Sequence, residues 1–204
     1  MKIIAFIFAR GGSKELKNKN ILKFIDKPLI AHSIKLAKSI NLIDDVYVST
    51  DDKNIERVSK KYGAKIIKRP KNLATSKSSE WLSWQHAIKN LNDKNVFFDI
   101  FVSLPCTSPL RIKSDVVKCI KALNNKNDLV ITYQETSRNP WFNMIKSDKN
   151  KNLSVVNLSK KKIVRRQDAP KIYDMTTVCY VSKPQFILSN NNLFDGKVSG
   201  VKIP

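Results

Sequence analysis

The sequence has few acidic residues, few cysteines and no long apolar run, and each shortage argues against a class of protein. Its 204 residues carry 17 Asp and Glu against 38 Lys and Arg, giving a formal net charge of +21. Cys106, Cys119 and Cys179 are widely spaced and form no CxxC pair, which argues against a disulfide framework or a cysteine zinc site. The longest apolar runs are too short for a membrane-spanning helix. We therefore expect a cytoplasmic protein with reduced thiols and no membrane partner.

The excess of positive charge is compatible with nucleic-acid binding, but its distribution favours a solvated surface. The lysines are spread along the whole chain among many asparagines, without a basic tail or a recognisable nucleic-acid module. A net positive field also attracts small anionic substrates such as a nucleoside triphosphate. We expect no nucleic-acid partner, and a basic nucleic-acid-binding protein stays as an alternative.

Apolar strand patterns alternate with helical patterns from the first residues onward. Strands are predicted at 2–9, 45–50, 65–68, 96–104, 129–133, 176–182 and 198–203. Helices are predicted at 29–40, 52–61, 78–91 and 115–123, with Asp52 and Ser114 as N-caps and Gly63 as a C-cap. This alternation is typical of an α/β fold. We predict a three-layer α/β/α arrangement around a Rossmann-like, mostly parallel sheet.

The stretch at about 138–172 interrupts this alternation. It is polar, lacks a clear helical pattern and contains short alternating runs such as 153–158. We predict a single domain over 1–204 that carries this stretch as an insertion of small strands and loops. The insertion would cover the substrate or contact a second subunit.

The polar loop after the first strand is the most informative candidate site, because ligands of open α/β sheets bind beyond the carboxyl ends of the strands. It combines paired glycines with cations, a hydroxyl and an amide: Arg10, Gly11, Gly12, Ser13, Lys14, Lys19 and Asn20. Paired glycines let backbone N–H groups approach a phosphate, and the cations can neutralise a triphosphate. The loop matches neither GxxxxGK[ST] nor GxGxxG, so it predicts neither a P-loop nor a dinucleotide site.

Six motifs in order resemble the cytidylyltransferases that make CMP-activated acylneuraminates. They are Ala9–Lys14 with Lys17–Asn20, Val48–Asp51, Lys68–Pro70 with Leu73–Ala74, Thr107–Arg111, Arg138–Pro140, and Arg165–Lys171 before Tyr173. The Arg-Asn-Pro and Tyr-Asp-Met elements are closer to the legionaminic and pseudaminic acid branch. The resemblance implies transfer of CMP from CTP to an acidic nine-carbon sugar, with release of pyrophosphate.

The resemblance also implies a role for each matched residue. The CTP-binding residues would be Arg10, Gly11, Gly12, Ser13, Lys14, Lys19, Asn20, Arg69 and Ser79. Among these, Arg10 and Lys19 would stabilise the reacting triphosphate, and Ser79 would lie near the cytosine. The sugar would contact Thr107, Ser108, Arg111, Arg165, Arg166, Gln167 and Thr176. The family further implies a homodimer and Mg²⁺ as the cofactor.

Three departures from the family pattern bear on these expectations. Pro105 stands where the family often has a glutamine that contacts the sugar, and Thr176 stands where it has an asparagine. An Asp-x-Asp pair that binds Mg²⁺ is expected beyond Pro204, so no metal ligand is predicted here, and we expect the native chain to continue past that residue. The alternatives within the resemblance are a nucleotidyltransferase for another acid sugar, such as an eight-carbon one, and an inactive nucleotide-binding relative.

Overall fold

A computed structural model describes residues 1–13, 16–159 and 163–204. The chain divides into two compact units. The main unit consists of Met1–Thr132 and Thr176–Ile203, and the small unit consists of Tyr133–Met175 with Pro204. The small unit takes in the stretch at 138–172 that the sequence predicts as an insertion.

The strands and helices alternate along most of the chain. The strands are β1 (Ile3–Phe8), β2 (Lys23–Phe24), β3 (Lys27–Pro28), β4 (Asp45–Thr50), β5 (Lys65–Lys68), β6 (Ile100–Ser103), β7 (Leu129–Glu135), β8 (Ile145–Ser147), β9 (Leu153–Val155), β10 (Tyr173–Ser182) and β11 (Val198–Lys202). The helices are α1 (Leu29–Lys38), α2 (Lys53–Lys61), α3 (Glu80–Asn92), α4 (Lys113–Ala122) and α5 (Pro184–Ser189). Short 3₁₀ turns lie at Lys19–Ile21, Lys71–Leu73 and Arg166–Asp168.

Seven strands form one sheet in the order β11-β7-β10-β6-β1-β4-β5. β1 pairs in parallel with β4 and β6, and β4 pairs in parallel with β5. β10 runs antiparallel to β6. The prediction of a mostly parallel sheet is confirmed. Because β1, β4 and β6 are parallel, the loops that follow them leave the sheet at one edge.

Helices cover both faces of this sheet, as the alternating side chains of β1 demonstrate. Ile3, Ala5 and Ile7 belong to one buried cluster, which includes residues of α1, α2 and α4. Ile4 and Phe6 belong to a second buried cluster, which includes residues of α3 and α5. The predicted three-layer arrangement follows from this division, since successive side chains of a strand point to opposite faces.

Several predicted element boundaries are wrong, and β10 begins at Tyr173 rather than at residue 176. The strand predicted at 96–104 is limited to β6, because Asn95 has a left-handed backbone (φ 57°) and Val96 N–H still donates to Leu91 O at the end of α3. α4 begins at Lys113 rather than after a Ser114 cap, and Ile112 occupies its N-cap position without a side-chain hydrogen bond. Helix α5, which begins with Pro184, was not predicted.

The small unit contains a two-stranded antiparallel ribbon made of β8 and β9. Several of its apolar side chains are exposed: Ile145, Leu153, Leu158, Val164, Tyr173 and Met175.

In the main unit, all three cysteines are free and buried. Among the described residues, no helix is long and apolar enough to cross a membrane.

Candidate functional site

The main unit has a cavity of about 210 Å³ where polar segments follow β1 and β6. Five predicted site residues line it: Arg10, Ser13, Lys19, Asn20 and Thr107. They are joined by residues that the sequence analysis did not select: Phe8, Glu80, Pro105, Cys106, Thr177 and Tyr180. The structure therefore brings the cationic loop after β1 together with hydroxyl side chains near β6 and on β10.

The loop after β1 is held by backbone contacts that require its glycines. Gly11 N–H donates to Asp51 Oδ1 at 2.9 Å. A Cβ atom on Gly11 would lie 3.2 Å from the Cβ of Asp52, so a side chain there would crowd the start of α2. Gly12 has a left-handed backbone with φ of 61°, which favours glycine. Lys14, predicted to bind phosphate, lies outside the described residues.

The two ends of this loop are tied together by Asn20. Its Nδ2 donates to Arg10 O at 3.1 Å, and its side chain is buried. Arg10 Nη1 donates to Gly12 O at 3.3 Å, while Lys19 is half-buried at the cavity wall. Asn20 therefore shapes the loop, and the ammonium of Lys19 and the guanidinium of Arg10 supply positive charge to the cavity.

Arg69 directly follows β5, and its buried guanidinium contacts Ser49 near the end of β4. Its Nε donates to Ser49 Oγ at 3.2 Å and its Nη2 donates to Ser49 O at 2.9 Å, with the guanidinium 5.6 Å from the centre of the Phe8 ring. Burial lowers the pKa of Arg69, and the negative charges of Asp51 and Glu80 oppose that shift. Arg69 thus adds positive charge close to the cavity, although its side chain does not line it.

Ser79 caps α3 and lines a second cavity. Its Oγ accepts a hydrogen bond from Trp81 N at 3.2 Å. The second cavity measures about 300 Å³, and its walls include the aromatic rings of Trp81, Trp84, Tyr180 and Phe194. The proposed role of Ser79 near the cytosine remains a prediction from the family resemblance.

Glu80 is a carboxylate that lines both cavities. Its Oε1 accepts a hydrogen bond from Trp84 Nε1 at 3.2 Å. The side chain is accessible from the cleft, but the surrounding protein desolvates it and raises the pKa of Glu80. The sequence analysis missed this residue because an acidic residue in the first turn of a helix is ordinarily explained by the helix dipole.

Three hydroxyl groups meet beside the first cavity, which Thr107 and Thr177 line and Ser108 does not. Thr177 Oγ1 lies 3.1 Å from Thr107 Oγ1 and 2.9 Å from Ser108 Oγ. The adjacent Thr176, predicted to contact the sugar, instead donates from its hydroxyl to Thr132 Oγ1 at 2.7 Å. Neighbouring strand residues face opposite sides of the sheet, so Thr177 rather than Thr176 presents its hydroxyl to this cavity.

Arg111, also predicted to contact the sugar, is buried close to these hydroxyl groups. Its Nη1 donates to Ser33 Oγ at 2.8 Å, and its Nη2 donates to Pro105 O and, at 3.5 Å, to Thr177 O. Burial lowers the pKa of Arg111 to about 10. No carboxylate among the described residues forms an ion pair with it. The geometry gives Arg111 the position of a clamp between the loop after β6 and strand β10.

The remaining predicted sugar residues belong to the small unit. Arg166 and Gln167 line a cavity of about 440 Å³ together with Arg138 and Lys171. Arg166 Nη2 donates to Thr136 O at 2.7 Å. The guanidinium of Arg165 pairs with Asp168 at 3.0 Å, and this hydrogen bonding lowers the pKa of Asp168. This cavity is cationic and therefore suited to an anionic group.

A family model and two named proteins match this chain over nearly its whole length. A family model described as cytidylyltransferase matches residues 4–199. Post-translational flagellin modification protein B of Campylobacter coli is 36% identical over 99% of this chain and 86% of its own length. CMP-N,N'-diacetyllegionaminic acid synthase of Campylobacter jejuni is 34% identical over 98% of this chain and 85% of its own length.

Solved structures show the same fold at low sequence identity. CMP:2-keto-3-deoxy-manno-octonic acid synthetase complexed with CTP superposes with a TM-score of 0.71 at 16% identity, covering 100% of this chain and 91% of that one. The 4-diphosphocytidyl-2C-methyl-D-erythritol synthase of Anaerococcus prevotii gives a TM-score of 0.66 at 16% identity, covering 98% and 88% of the two chains.

Proposed function

Because the chain belongs to the cytidylyltransferase family, we propose that it couples CTP to an acidic nine-carbon sugar of the sialic, legionaminic or pseudaminic acid type. The products would be the CMP-sugar and pyrophosphate. The observation that carries this proposal is the single cavity that Arg10, Lys19 and Thr107 line together. The relative named for legionaminic acid supports the choice of a nine-carbon sugar, since it matches almost the entire chain.

In this reaction the anomeric hydroxyl oxygen of the sugar attacks the α-phosphorus of CTP. A new P–O bond forms, the bond from the α-phosphorus to the oxygen that bridges to the β-phosphate breaks, and the hydroxyl proton passes to water. Arg10 and Lys19 would neutralise the charge that grows on the departing pyrophosphate, and the N–H groups of the loop after β1 would orient the phosphates. The protein contributes mainly by aligning the two reactants.

A direct assay tests the proposal. The purified protein is incubated with CTP and, in separate reactions, with neuraminic, legionaminic and pseudaminic acid derivatives and an eight-carbon ketosugar acid, and pyrophosphate release is measured. We expect pyrophosphate release from CTP with at least one nine-carbon acid. UTP in place of CTP is the nucleotide control and should give no release. Turnover of the eight-carbon acid alone would support the rival nucleotidyltransferase instead.

Replacing Arg10 or Lys19 by Ala should remove about 2–4 kcal/mol of transition-state stabilisation, which lowers kcat/KM roughly 30- to 800-fold. The reason is the loss of one cation that faces the cavity. Lys23→Ala, which removes an exposed lysine on β2, is the matched control and should leave turnover unchanged. Near-normal turnover by both cavity variants would reject these two assignments.

Mg²⁺ is part of the proposal, although the described residues supply no preformed metal site. Within 1–13, 16–159 and 163–204, no three His, Cys, Asp or Glu side chains are grouped so that they could hold a metal. Asp51 and Asp52 already accept backbone hydrogen bonds. We propose that the reaction requires Mg²⁺, which would neutralise negative charge on the triphosphate. Turnover that persists after complete chelation of divalent ions would contradict this.

A homodimer in the cytoplasm completes the proposal. The exposed apolar side chains of the small unit, Ile145, Leu153 and Leu158 among them, offer a surface that a second copy could cover. Three free, buried thiols suit a reducing compartment. Sedimentation as a monomer at micromolar concentration would contradict the dimer.

A further inference from the structure

We propose that Thr177 is a substrate-positioning residue, whose hydroxyl joins those of Thr107 and Ser108 into a donor site for an oxygen of the acidic sugar. This inference rests on the proposed function and assigns one contact within it. The three side chains are called the hydroxyl cluster below.

Counting the hydroxyl protons shows that one of the three has no acceptor among the described residues and is free to meet a ligand. Each hydroxyl carries one proton and can accept through its lone pairs. The contacts from Thr177 Oγ1 to Thr107 Oγ1 (3.1 Å) and to Ser108 Oγ (2.9 Å) use two of the three protons. These oxygens make no further hydrogen bond within the part of the chain that the structure describes. The third proton is therefore available, and Thr107 and Thr177 both line the cavity.

The hydroxyl cluster is held in place by the strands and by the buried guanidinium beneath it. β10 pairs antiparallel with β6, with Tyr180 opposite Ser103. Arg111 donates to Pro105 O and to Thr177 O, so it connects the two segments that carry the cluster. Donors that are fixed before the substrate arrives lose little freedom on binding, which makes such a site effective.

The position of the hydroxyl cluster in the sheet favours the sugar over the nucleotide. The glycine loop follows β1, and the guanidinium of Arg69 donates hydrogen bonds to Ser49 on β4. In the strand order, β4 lies on one side of β1, whereas β6 and then β10 lie on the other. The cations and backbone N–H groups that suit phosphates are thus at β1 and β4. The neutral hydroxyl donors lie toward β6 and β10, on the other side of β1, which leaves them for the second substrate.

The test compares two substitutions that separate the hydroxyl from the shape of the side chain. Thr177→Val keeps the shape and removes the hydroxyl, while Thr177→Ser keeps the hydroxyl. We expect Thr177→Val to raise the KM for the sugar about tenfold with the KM for CTP within about twofold of wild type. Thr177→Ser should restore the sugar KM to within about threefold. Ser39→Ala, which removes an exposed hydroxyl at the end of α1, is the control and should behave as wild type.

Several results would overturn the assignment. If Thr177→Val has wild-type kinetics, the Thr177 hydroxyl does not contact the sugar. If Thr177→Val and Thr177→Ser raise the sugar KM equally, the effect is one of packing. A rise in the CTP KM alone would assign the hydroxyl cluster to the nucleotide. If Thr177→Val does not fold, Thr107→Val removes another member of the hydroxyl cluster and should raise the same sugar KM, and normal kinetics for it would contradict the proposal. Absence of turnover by the wild type with any nine-carbon acid would contradict the proposed function and this inference together.

Discussion

Glu80 places a carboxylate among the cations of the first cavity. It presents a carboxylate to a cavity that is also lined by Arg10 and Lys19 and that is proposed to bind two anionic substrates. Desolvation raises its pKa, while the hydrogen bond from Trp84 and the charge of Arg69 oppose the shift. The folded protein therefore favours the neutral form of this side chain more than the unfolded chain does.

Glu80→Gln should increase the free energy of unfolding at neutral pH by up to about 1 kcal/mol, because the side chain is accessible and its charge is partly screened. A raised pKa in the folded state stabilises the fold below the unfolded value of 4.5, and this contribution is lost as the pH rises through the raised pKa. The difference between variant and wild type should therefore vanish near pH 4 in denaturant titrations.

Glu56→Gln is the matched control for this experiment. Lys60 donates a hydrogen bond to Glu56 and lowers the pKa of that carboxyl, so its neutralisation should not stabilise the protein at neutral pH. A Glu80 variant that is less stable than wild type at pH 7 would contradict the direction expected from its pKa.

The sequence motifs name five residues that the structure brings to one cavity, but they do not indicate which face of a strand a residue occupies. Arg10, Ser13, Lys19, Asn20 and Thr107 all line one cavity, although each residue's role stays a prediction. The family pattern pointed to position 176, yet the hydroxyl at position 177 faces that cavity. A shift of one residue along a strand exchanges its two faces, and the pairing that sets the phase is a tertiary property.

At the scale of single elements, the N-terminus of α2 is fixed by the side chain of Asp52. Its Oδ1 accepts hydrogen bonds from Asn54 N at 2.7 Å and from Ile55 N at 2.9 Å. Asp52→Ala should lower the free energy of unfolding by about 1 kcal/mol, whereas Asp52→Asn should retain most of it, because an amide oxygen also caps a helix. Denaturant titration checks both, and equal losses would show that charge rather than capping matters.

The loop after β6 and strand β10 depend on the clamp formed by Arg111. Arg111→Met should lower the free energy of unfolding by about 2–4 kcal/mol, because it leaves buried carbonyl groups without a donor. Arg57→Met, at an exposed arginine of α2, should change it by less than about 0.5 kcal/mol. Full stability of Arg111→Met combined with lost sugar binding would instead support the contact that the family resemblance implies.

Most elements of the fold followed from hydrophobic periodicity, and the errors have local causes. β4 and β5 have the predicted bounds, and Asp52 caps α2 as expected. β6 is shorter than predicted because the apolar run at 96–104 includes the connection from α3, which periodicity cannot separate from a buried strand. α5 has only six residues, too few for a helical period to be recognised.

At the scale of the whole molecule, the net charge of +21 should act on the nucleotide before it binds. We expect the KM for CTP to rise roughly tenfold between about 20 and 300 mM salt, because screening weakens the attraction of a polyanion. Lys94→Gln, which removes one exposed lysine at the end of α3, should leave this dependence unchanged. Steep salt-dependent binding of nucleic acid without CTP affinity would favour the alternative of a nucleic-acid-binding protein.

The burial of the three thiols also lowers their reactivity toward oxidants. Cys119 and Cys179 are fully buried, Cys106 is 4% exposed at the wall of the first cavity, and burial raises the pKa of Cys106 to about 12. A thiol reacts as its thiolate and only where a reagent reaches it, so folding protects all three sulfur atoms. We therefore expect copies of the protein to stay free of intermolecular disulfides in air without added reductant.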